Sequence, residues 1–331
     1  MTAARGDIHP ATRVNQLQMP CTPGGHSAAF AQVTMQPWQS FILGVIEGIT
    51  EYLPVSSTGH LLVAQHLMGI GTATATETEK AAAATFAICI QGGAILAVAG
   101  LYYKRVLQML RGVLGQDSEG LKLALLLVAG FLPAAVIGLA FNDKIEEKLF
   151  GMWPVIIAWV VGGVLILATA RWRKGNPAKG GGSELVEMTL KMALFIGLLQ
   201  CVAMWPGTSR SLMTIVGGLI VGLSIRAAVE YSFLLGVLTL TAATAKKAIW
   251  KVEGLDSGAY DVWFGGTKLM WDTYGALPLV IGIVAAAVSA AFAVKWLVAF
   301  LQSNGLSVFG WYRIALGVGI GGLLAAGILD A

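Results

Sequence analysis

The chain has 331 residues, of which 56% are hydrophobic and only 12% charged; soluble domains carry about 25% charged residues, so it lacks the polar surface to coat a water-soluble globule. Its formal net charge of +4 is modest and spread over loops, which gives no reason to invoke nucleic acid as a partner. Three cysteines, Cys21, Cys89 and Cys201, match neither a zinc-site spacing nor a disulfide framework, and the two in apolar segments read as small buried hydrophobes.

In chain order, residues 1–37 are rich in Gly, Pro, Gln, Thr and His. They hold no continuous apolar core of signal-peptide length, and read as a flexible extension with His9 and His26 solvated. Residues 41–64 are apolar but interrupted by a proline and a polar cluster. Apolar runs follow at 81–103, 121–141 and 154–170, then a second interrupted segment at 195–221, then runs at 231–245, 277–301 and 314–329. Most approach or exceed the ~20 residues that cross ~30 Å of hydrocarbon as a helix. Backbone groups in lipid must be satisfied within the segment, so helices are the natural form. The expectation is an all-α polytopic membrane protein with about six transmembrane helices, residues 38–331 forming a single membrane domain.

The two interrupted segments look related. The first reads Phe41-Ile-Leu-Gly-Val-Ile-Glu-Gly-Ile-Thr-Glu-Tyr-Leu-Pro-Val-Ser-Ser and the second Phe195-Ile-Gly-Leu-Leu-Gln-Cys-Val-Ala-Met-Trp-Pro-Gly-Thr-Ser. Each passes from Phe-Ile through a carboxylate or amide to a proline and hydroxyl residues. Each half, about 38–175 and 189–331, then holds one broken segment and three spans. If each break dips in and returns to one face, three crossings make the second half enter from the opposite side. That is an inverted-topology repeat with two re-entrant helix hairpins, and such folds place their sites near the midplane. Pro54 and Pro206 alone could give two kinked helices, but the polar clusters after both prolines favour hairpins. Lys104, Arg105 and Arg111 share a face with Arg171, Arg173, Lys174 and Lys179, which makes that face cytoplasmic. The first break then opens outward and the second inward.

Glu47 and Glu51 are four apart and project from one face of a helix. An ionised acid at mid-membrane costs roughly 2.5–3.5 kcal/mol, so the pair needs a cation, a proton or an arginine. Paired carboxylates suit a hard divalent ion such as Mg²⁺ or Ca²⁺. After Pro54 come Ser56, Ser57, Thr58, Gly59 and His60; hydroxyls and amides at a glycine-bearing break are what an anion-binding end looks like. His60 can serve as acid, base or nucleophile near neutral pH. In the second break Arg210 lies between Ser209 and Ser211, a forked donor suited to phosphate or to the role of counter-ion for Glu47 or Glu51.

The stretch Glu47-Gly-Ile-Thr-Glu-Tyr-Leu-Pro-Val-Ser-Ser-Thr-Gly-His resembles the first signature of the bacitracin-resistance family, the integral-membrane undecaprenyl-diphosphate phosphatases, and Pro206-Gly-Thr-Ser-Arg-Ser resembles its second. Phe86-Ala-Ile-Cys-Ile-Gln-Gly-Gly-Ala-Ile-Leu-Ala-Val, Pro133-Ala-Ala-Val-Ile-Gly-Leu and Glu230-Tyr-Ser-Phe-Leu-Leu are similar too, so the resemblance runs from about Trp38 to the C-terminus. Three departures stand out. Leu212-Met213 replace a usual Gly-Ala beside the arginine, which bears on pocket shape. Leu238 replaces a common proline. The stretch 250–274 is longer and richer in Trp and Gly.

What the resemblance implies is hydrolysis of undecaprenyl diphosphate to the monophosphate and inorganic phosphate. The reaction would run at the outer side of the bacterial plasma (inner) membrane, facing the periplasm, recycling the cell-wall lipid carrier and conferring bacitracin resistance. Glu47 and Glu51 would hold the divalent cation. Arg210, with Ser209, Ser211 and Thr214, would bind the phosphates, while Ser56 and Gln200 support the polar cup. Ser57 would attack phosphorus with His60 taking its proton, or His60 would itself be the nucleophile or activate water. Membrane lipids surround the bundle, and a homodimer is left open. The rival from another class is an ion-coupled secondary transporter or lipid flippase for an anionic substrate, since inverted repeats with midplane charges describe a carrier equally well.

Overall fold

The computed structural model describes residues 35–72, 75–174, 182–249 and 260–329, so that only the last three residues of the N-terminal extension fall within it. Among the described residues the chain forms twelve α-helices, in an order that occurs twice. A short pair, α1 (Pro37–Thr50) and α2 (Ser57–Leu67), leads to the long α3 (Glu77–Leu101), the short α4 (Tyr103–Val113) and the long α5 (Ser118–Leu149) and α6 (Met152–Lys174). A second short pair, α7 (Leu190–Val202) and α8 (Arg210–Ile220), leads likewise to α9 (Ile225–Ile249), α10 (Gly265–Tyr274), α11 (Ala276–Asn304) and α12 (Ser307–Ala325).

Six of these, α3, α5, α6, α9, α11 and α12, are long and apolar enough to cross a membrane. They correspond one for one to the six apolar runs of the sequence, and the chain is an all-α, multi-pass membrane protein. Helices α1, α2, α7 and α8 differ. At 1.5 Å per residue, even the 14 residues of α1 rise only about 21 Å, short of the ~30 Å hydrocarbon thickness. Helix α1 begins with Pro37 in its first turn, where a missing N–H has no intrahelical partner to lose. Helix α3 begins at a reciprocal cap in which Glu79 N donates to Thr76 Oγ1 at 3.2 Å and Thr76 N donates to Glu79 Oε2 at 2.8 Å, satisfying two orphan donors at once.

The first helix of each short pair is seated on the opposite half of the chain. Gly44 of α1 lies against Gly282 of α11, and Gly197 of α7 against Gly130 of α5; a Cβ at either position would collide with the facing glycine's carbonyl. Two pairs of equivalent long helices, α3 with α9 and α6 with α12, run antiparallel. Arg105, just past α3, pairs with Glu230 near the start of α9 at 2.7 Å, while Thr244 near the end of α9 donates to Ile88 O in α3 at 3.4 Å. In α6 and α12, Gly163 faces Gly310 and Val160 faces Gly317, again with residue numbers running in opposite directions. The interlocking puts Tyr52, Leu53 and Val55 from the first break in one buried cluster with Leu212, Tyr231 and Phe233 from α8 and α9.

Candidate active site

Both breaks turn in the same way. Ser56 has φ 73° and Ser209 has φ 77°, a left-handed region that costs a non-glycine residue roughly 1–3 kcal/mol unless its surroundings enforce it. Each serine immediately precedes a helix of 11 residues. Pairing the two serines in register also pairs Glu47 with Gln200, Pro54 with Gly207 and Ser57 with Arg210, so the two prolines are one position out of step. Glu51 keeps helical torsions of −63° and −46°, and its N–H donates to Glu47 O at 2.9 Å; the two acids therefore do share a helical face although α1 ends at Thr50. The first turn is held from outside by Trp159 Nε1, which donates to Val55 O at 3.1 Å, and by Ser211 Oγ, which donates to Leu53 O at 2.7 Å.

The breaks meet at Glu51. Its Oε1 accepts from Arg210 Nη2 at 3.0 Å and its Oε2 accepts from Ser57 Oγ at 2.5 Å. Arg210 Nη1 donates to Ser232 O at 2.9 Å, and the guanidinium carbon lies 5.1 Å from the centroid of the Tyr52 ring, a cation–π arrangement. The guanidinium passes directly over Gly236 of α9, where a Cβ would collide with it. Only 10% of the arginine side chain and 6% of the glutamate side chain are exposed, so removing either partner would strand a buried charge. Arg210 Nε has no hydrogen-bond partner among the described residues. Glu47 is fully buried beside Glu51 and Ser57, and neither of its carboxylate oxygens has a hydrogen-bond partner among the described residues.

A cavity of about 880 Å³ opens from this cluster. Glu51, Ser56, Ser57, Gln200, Ser209 and Arg210 form its polar end, while Phe131, Ala134 and Leu139 of α5 and Leu240 of α9 form apolar wall. Gln200 Oε1 accepts weakly from Thr239 Oγ1 at 3.4 Å, and its buried Nε2 is unpartnered among the described residues. The arrangement combines a hydroxyl that already donates to a carboxylate, a nearby guanidinium, and an apolar wall beside them.

The residues singled out in the sequence divide into two groups. Glu51, Ser56, Ser57, Gln200, Ser209 and Arg210 share the cavity, with Glu47 directly behind Glu51. Ser211 and Thr214 face protein instead. Besides holding Leu53 O, Ser211 Oγ lies 3.0 Å from Ser209 Oγ, and Thr214 Oγ1 bonds Arg210 O at 2.9 Å and Ser232 Oγ at 2.6 Å. His60 also stands off the cavity wall. Its Nδ1 lies 2.6 Å from Ser56 O and its Nε2 2.8 Å from Tyr312 OH, with the ring parallel to that of Tyr312 at an interplanar angle of 2°. The Ser57 proton points to Glu51 and not to His60. Leu212 and Met213, whose bulk beside the arginine bore on pocket shape, are buried in the core and do not line the cavity.

Sequence reasoning missed Tyr52 as the arginine's platform, Gly236 as its clearance, and Arg313. That arginine is fully buried and donates to four backbone carbonyls. The available signal was a charge at the head of the last apolar run, since arginine at membrane depth is costly unless it is paired. Among the described residues no group of three or more histidine, cysteine, aspartate or glutamate side chains gathers into a metal cage. Glu47, whose carboxylate has no partner among the described residues, and the adjacent Glu51 are the residues whose chemistry could suit a hard divalent ion.

The fold and these residues define a class: multi-pass helical membrane proteins in which two broken helices bring acid, hydroxyl and guanidinium together at the end of an apolar cavity. Within that class the chain belongs to the bacitracin resistance protein BacA family, whose model matches residues 40–319. It is 40% identical over 280 residues to an undecaprenyl-diphosphatase of Sorangium cellulosum, covering 85% of this chain and 84% of that protein. It is 41% identical over 277 residues to undecaprenyl-diphosphatase 2 of Rhodospirillum rubrum, covering 84% and 91%. With undecaprenyl-diphosphatase 3 of Acinetobacter baylyi it shares 36% over 284 residues, 86% and 96% of the two chains.

Proposed function

We propose that the protein hydrolyses undecaprenyl diphosphate to undecaprenyl phosphate and inorganic phosphate, and so returns the cell-wall lipid carrier to use. The observation that carries this reading is the Glu51 carboxylate, shared between Ser57 Oγ and Arg210 Nη2 at the polar end of an apolar cavity. A substrate with a long hydrocarbon tail and a polyanionic head needs both ends of such a site. On binding, phosphate oxygens compete with Glu51 for Arg210, and the unused Nε joins them. Ser57 Oγ then attacks the terminal phosphorus while its proton passes to Glu51. The bond from that phosphorus to the bridging oxygen breaks and undecaprenyl phosphate leaves. Water next takes the phosphoryl group from Ser57 as inorganic phosphate, and the proton on Glu51 returns to the serine oxygen. Arg210 stabilises the charge that develops on the transferred group.

Glu47 and Glu51 would hold a divalent cation, Mg²⁺ or Ca²⁺, which supplies charge neutralisation at the phosphate oxygens. Ser209, Gln200 and Ser56 orient the head group from the cavity wall. Ser211 and Thr214 brace the second break, and His60 braces the first through Ser56 O. The antiparallel run of α3 with α9 and of α6 with α12, and the seating of α1 on α11 and of α7 on α5, support an inverted-topology repeat with two re-entrant hairpins. On that topology the arginine and lysine distribution opens the first break to the periplasmic side of the plasma (inner) membrane.

The test is phosphate release by purified protein in detergent from a C15 or C55 prenyl diphosphate. Wild type is expected to release phosphate, to lose the activity in EDTA, and to recover it on adding Mg²⁺ or Ca²⁺. Uptake of prenyl phosphate or diphosphate into sealed liposomes with no phosphate release would overturn the hydrolase reading in favour of a carrier.

A further inference from the structure

Arg313 lies in α12, one turn and a half from its start, and is completely buried. Its Nε donates to Trp159 O at 3.2 Å, its Nη1 to Pro54 O at 3.2 Å, and its Nη2 to Ala158 O and Gly207 O, both at 2.8 Å. Ala158 and Trp159 belong to the membrane-spanning α6. Pro54 and Gly207 belong to the two breaks, and they are the matching positions when Ser56 and Ser209 are aligned. One guanidinium therefore grips the same carbonyl of each break and anchors both to a rigid span.

Each of those carbonyls lies three residues ahead of a reactive side chain, Pro54 ahead of Ser57 and Gly207 ahead of Arg210. The intervening residues include the left-handed serines, a conformation that persists only where its surroundings over-determine it. Carbonyls freed from a helix inside an apolar bundle need a replacement donor. A planar fork of five N–H groups can serve several fixed acceptors at once, whereas an ammonium presents a single point. Gly162 of α6 leaves the room for the guanidinium, since a Cβ there would collide with it.

We infer that Arg313 is a positioning residue for the hydrolytic site: by holding Pro54 O and Gly207 O it fixes the two breaks against each other and so sets Ser57 and Glu51 opposite Arg210. This rests on the hydrolase reading above. Arg313→Lys keeps the charge and loses the fork, and Gly162→Ala keeps the arginine and displaces it. Both are compared with wild type for kcat and KM on a prenyl diphosphate, per folded molecule, with thermal unfolding followed in the same detergent. A misplacement of about 1 Å costs on the order of 10²-fold in rate, so kcat is expected to fall by about that factor while KM changes little. Combined with Arg210→Lys, the Arg313→Lys loss is expected to be strongly non-additive, because both act on one placement.

Unchanged kcat per folded molecule in both variants would overturn the inference. So would a cycle in which the Arg313→Lys and Arg210→Lys losses simply multiply, the result expected of a remote structural arginine. If Arg313→Lys does not fold, Gly162→Ala decides alone. Wild type separates the two possible failures: no phosphate release from wild type sinks the hydrolase reading, whereas wild-type turnover with unaltered variants sinks only the role given to Arg313.

Discussion

The first break turns at Ser56 with φ 73° and the second at Ser209 with φ 77°, and each then starts a helix of 11 residues. On that shared backbone the side chains have parted company. Glu47, Glu51 and Ser57 in the first match Gln200, Met204 and Arg210 in the second. Acid and hydroxyl sit on one side and the guanidinium on the other, joined at 3.0 Å. Neither break could keep its charge alone, because a lone ionised group at membrane depth costs several kcal/mol. The two breaks share one backbone turn and carry complementary charge.

Substitutions at matched positions can break this comparison, beginning with the largest effect. Ser57→Ala is expected to take phosphate release down to the uncatalysed background, measured over hours at high enzyme; substantial residual turnover would leave His60 or an activated water as the attacking group. Arg210→Ala and Glu51→Gln are each expected to cost about 10²–10³-fold in kcat, with helix content by circular dichroism unchanged. Gly236→Ala adds one methyl against the guanidinium and is expected to lower kcat by roughly 10–10²-fold, with no charge altered. The smallest effect sharpens the comparison at the turns themselves. Ser56→Gly relieves the left-handed turn, worth roughly 1–2 kcal/mol, less the 0.5–1 kcal/mol that glycine costs in the unfolded chain, so thermal unfolding should shift slightly upward. Ser209→Gly gains the same relief but loses the bond from Leu212 N to Ser209 Oγ at 3.2 Å, so its shift should be smaller than that of Ser56→Gly.

Much of this was legible in the sequence. Six apolar runs gave the six long helices, and the interrupted segments gave the two short pairs. Glu51, Ser57 and Arg210 stood out because charge and hydroxyls are expensive in an apolar run, so each needs a reason to be there. What stayed hidden depends on acceptors that every residue possesses. Arg313 and His60 are spent on backbone carbonyls of Pro54, Gly207 and Ser56, and no side-chain pattern announces a carbonyl. The roles of Ser211 and Thr214 were obscured for a related reason: a serine or threonine in a phosphate-like motif reads the same whether its hydroxyl faces the cavity or, as here, Leu53 O and Ser232 Oγ. Tyr52 reaches Arg210 only through the packing of the two halves, and Gly236 only through the packing of α9 on α8; neither contact has a signature in the sequence. Adjacency to Arg210 in sequence left open how Leu212 and Met213 bear on the pocket; both are buried in the core and neither lines the cavity.

That the two breaks form one site is tested most directly by a double-variant cycle across the contact that joins them. Turnover of a prenyl diphosphate is measured for wild type, Glu51→Asp, Arg210→Lys and the pair, all substitutions that preserve charge and shift only the point of contact. Residues sharing one contact couple by about 0.5–3 kcal/mol, so the double variant should fall well short of, or well beyond, the product of the two single losses. Losses that multiply cleanly, with coupling under about 0.3 kcal/mol, would mean that Glu51 and Arg210 act independently and that the breaks do not form a common site.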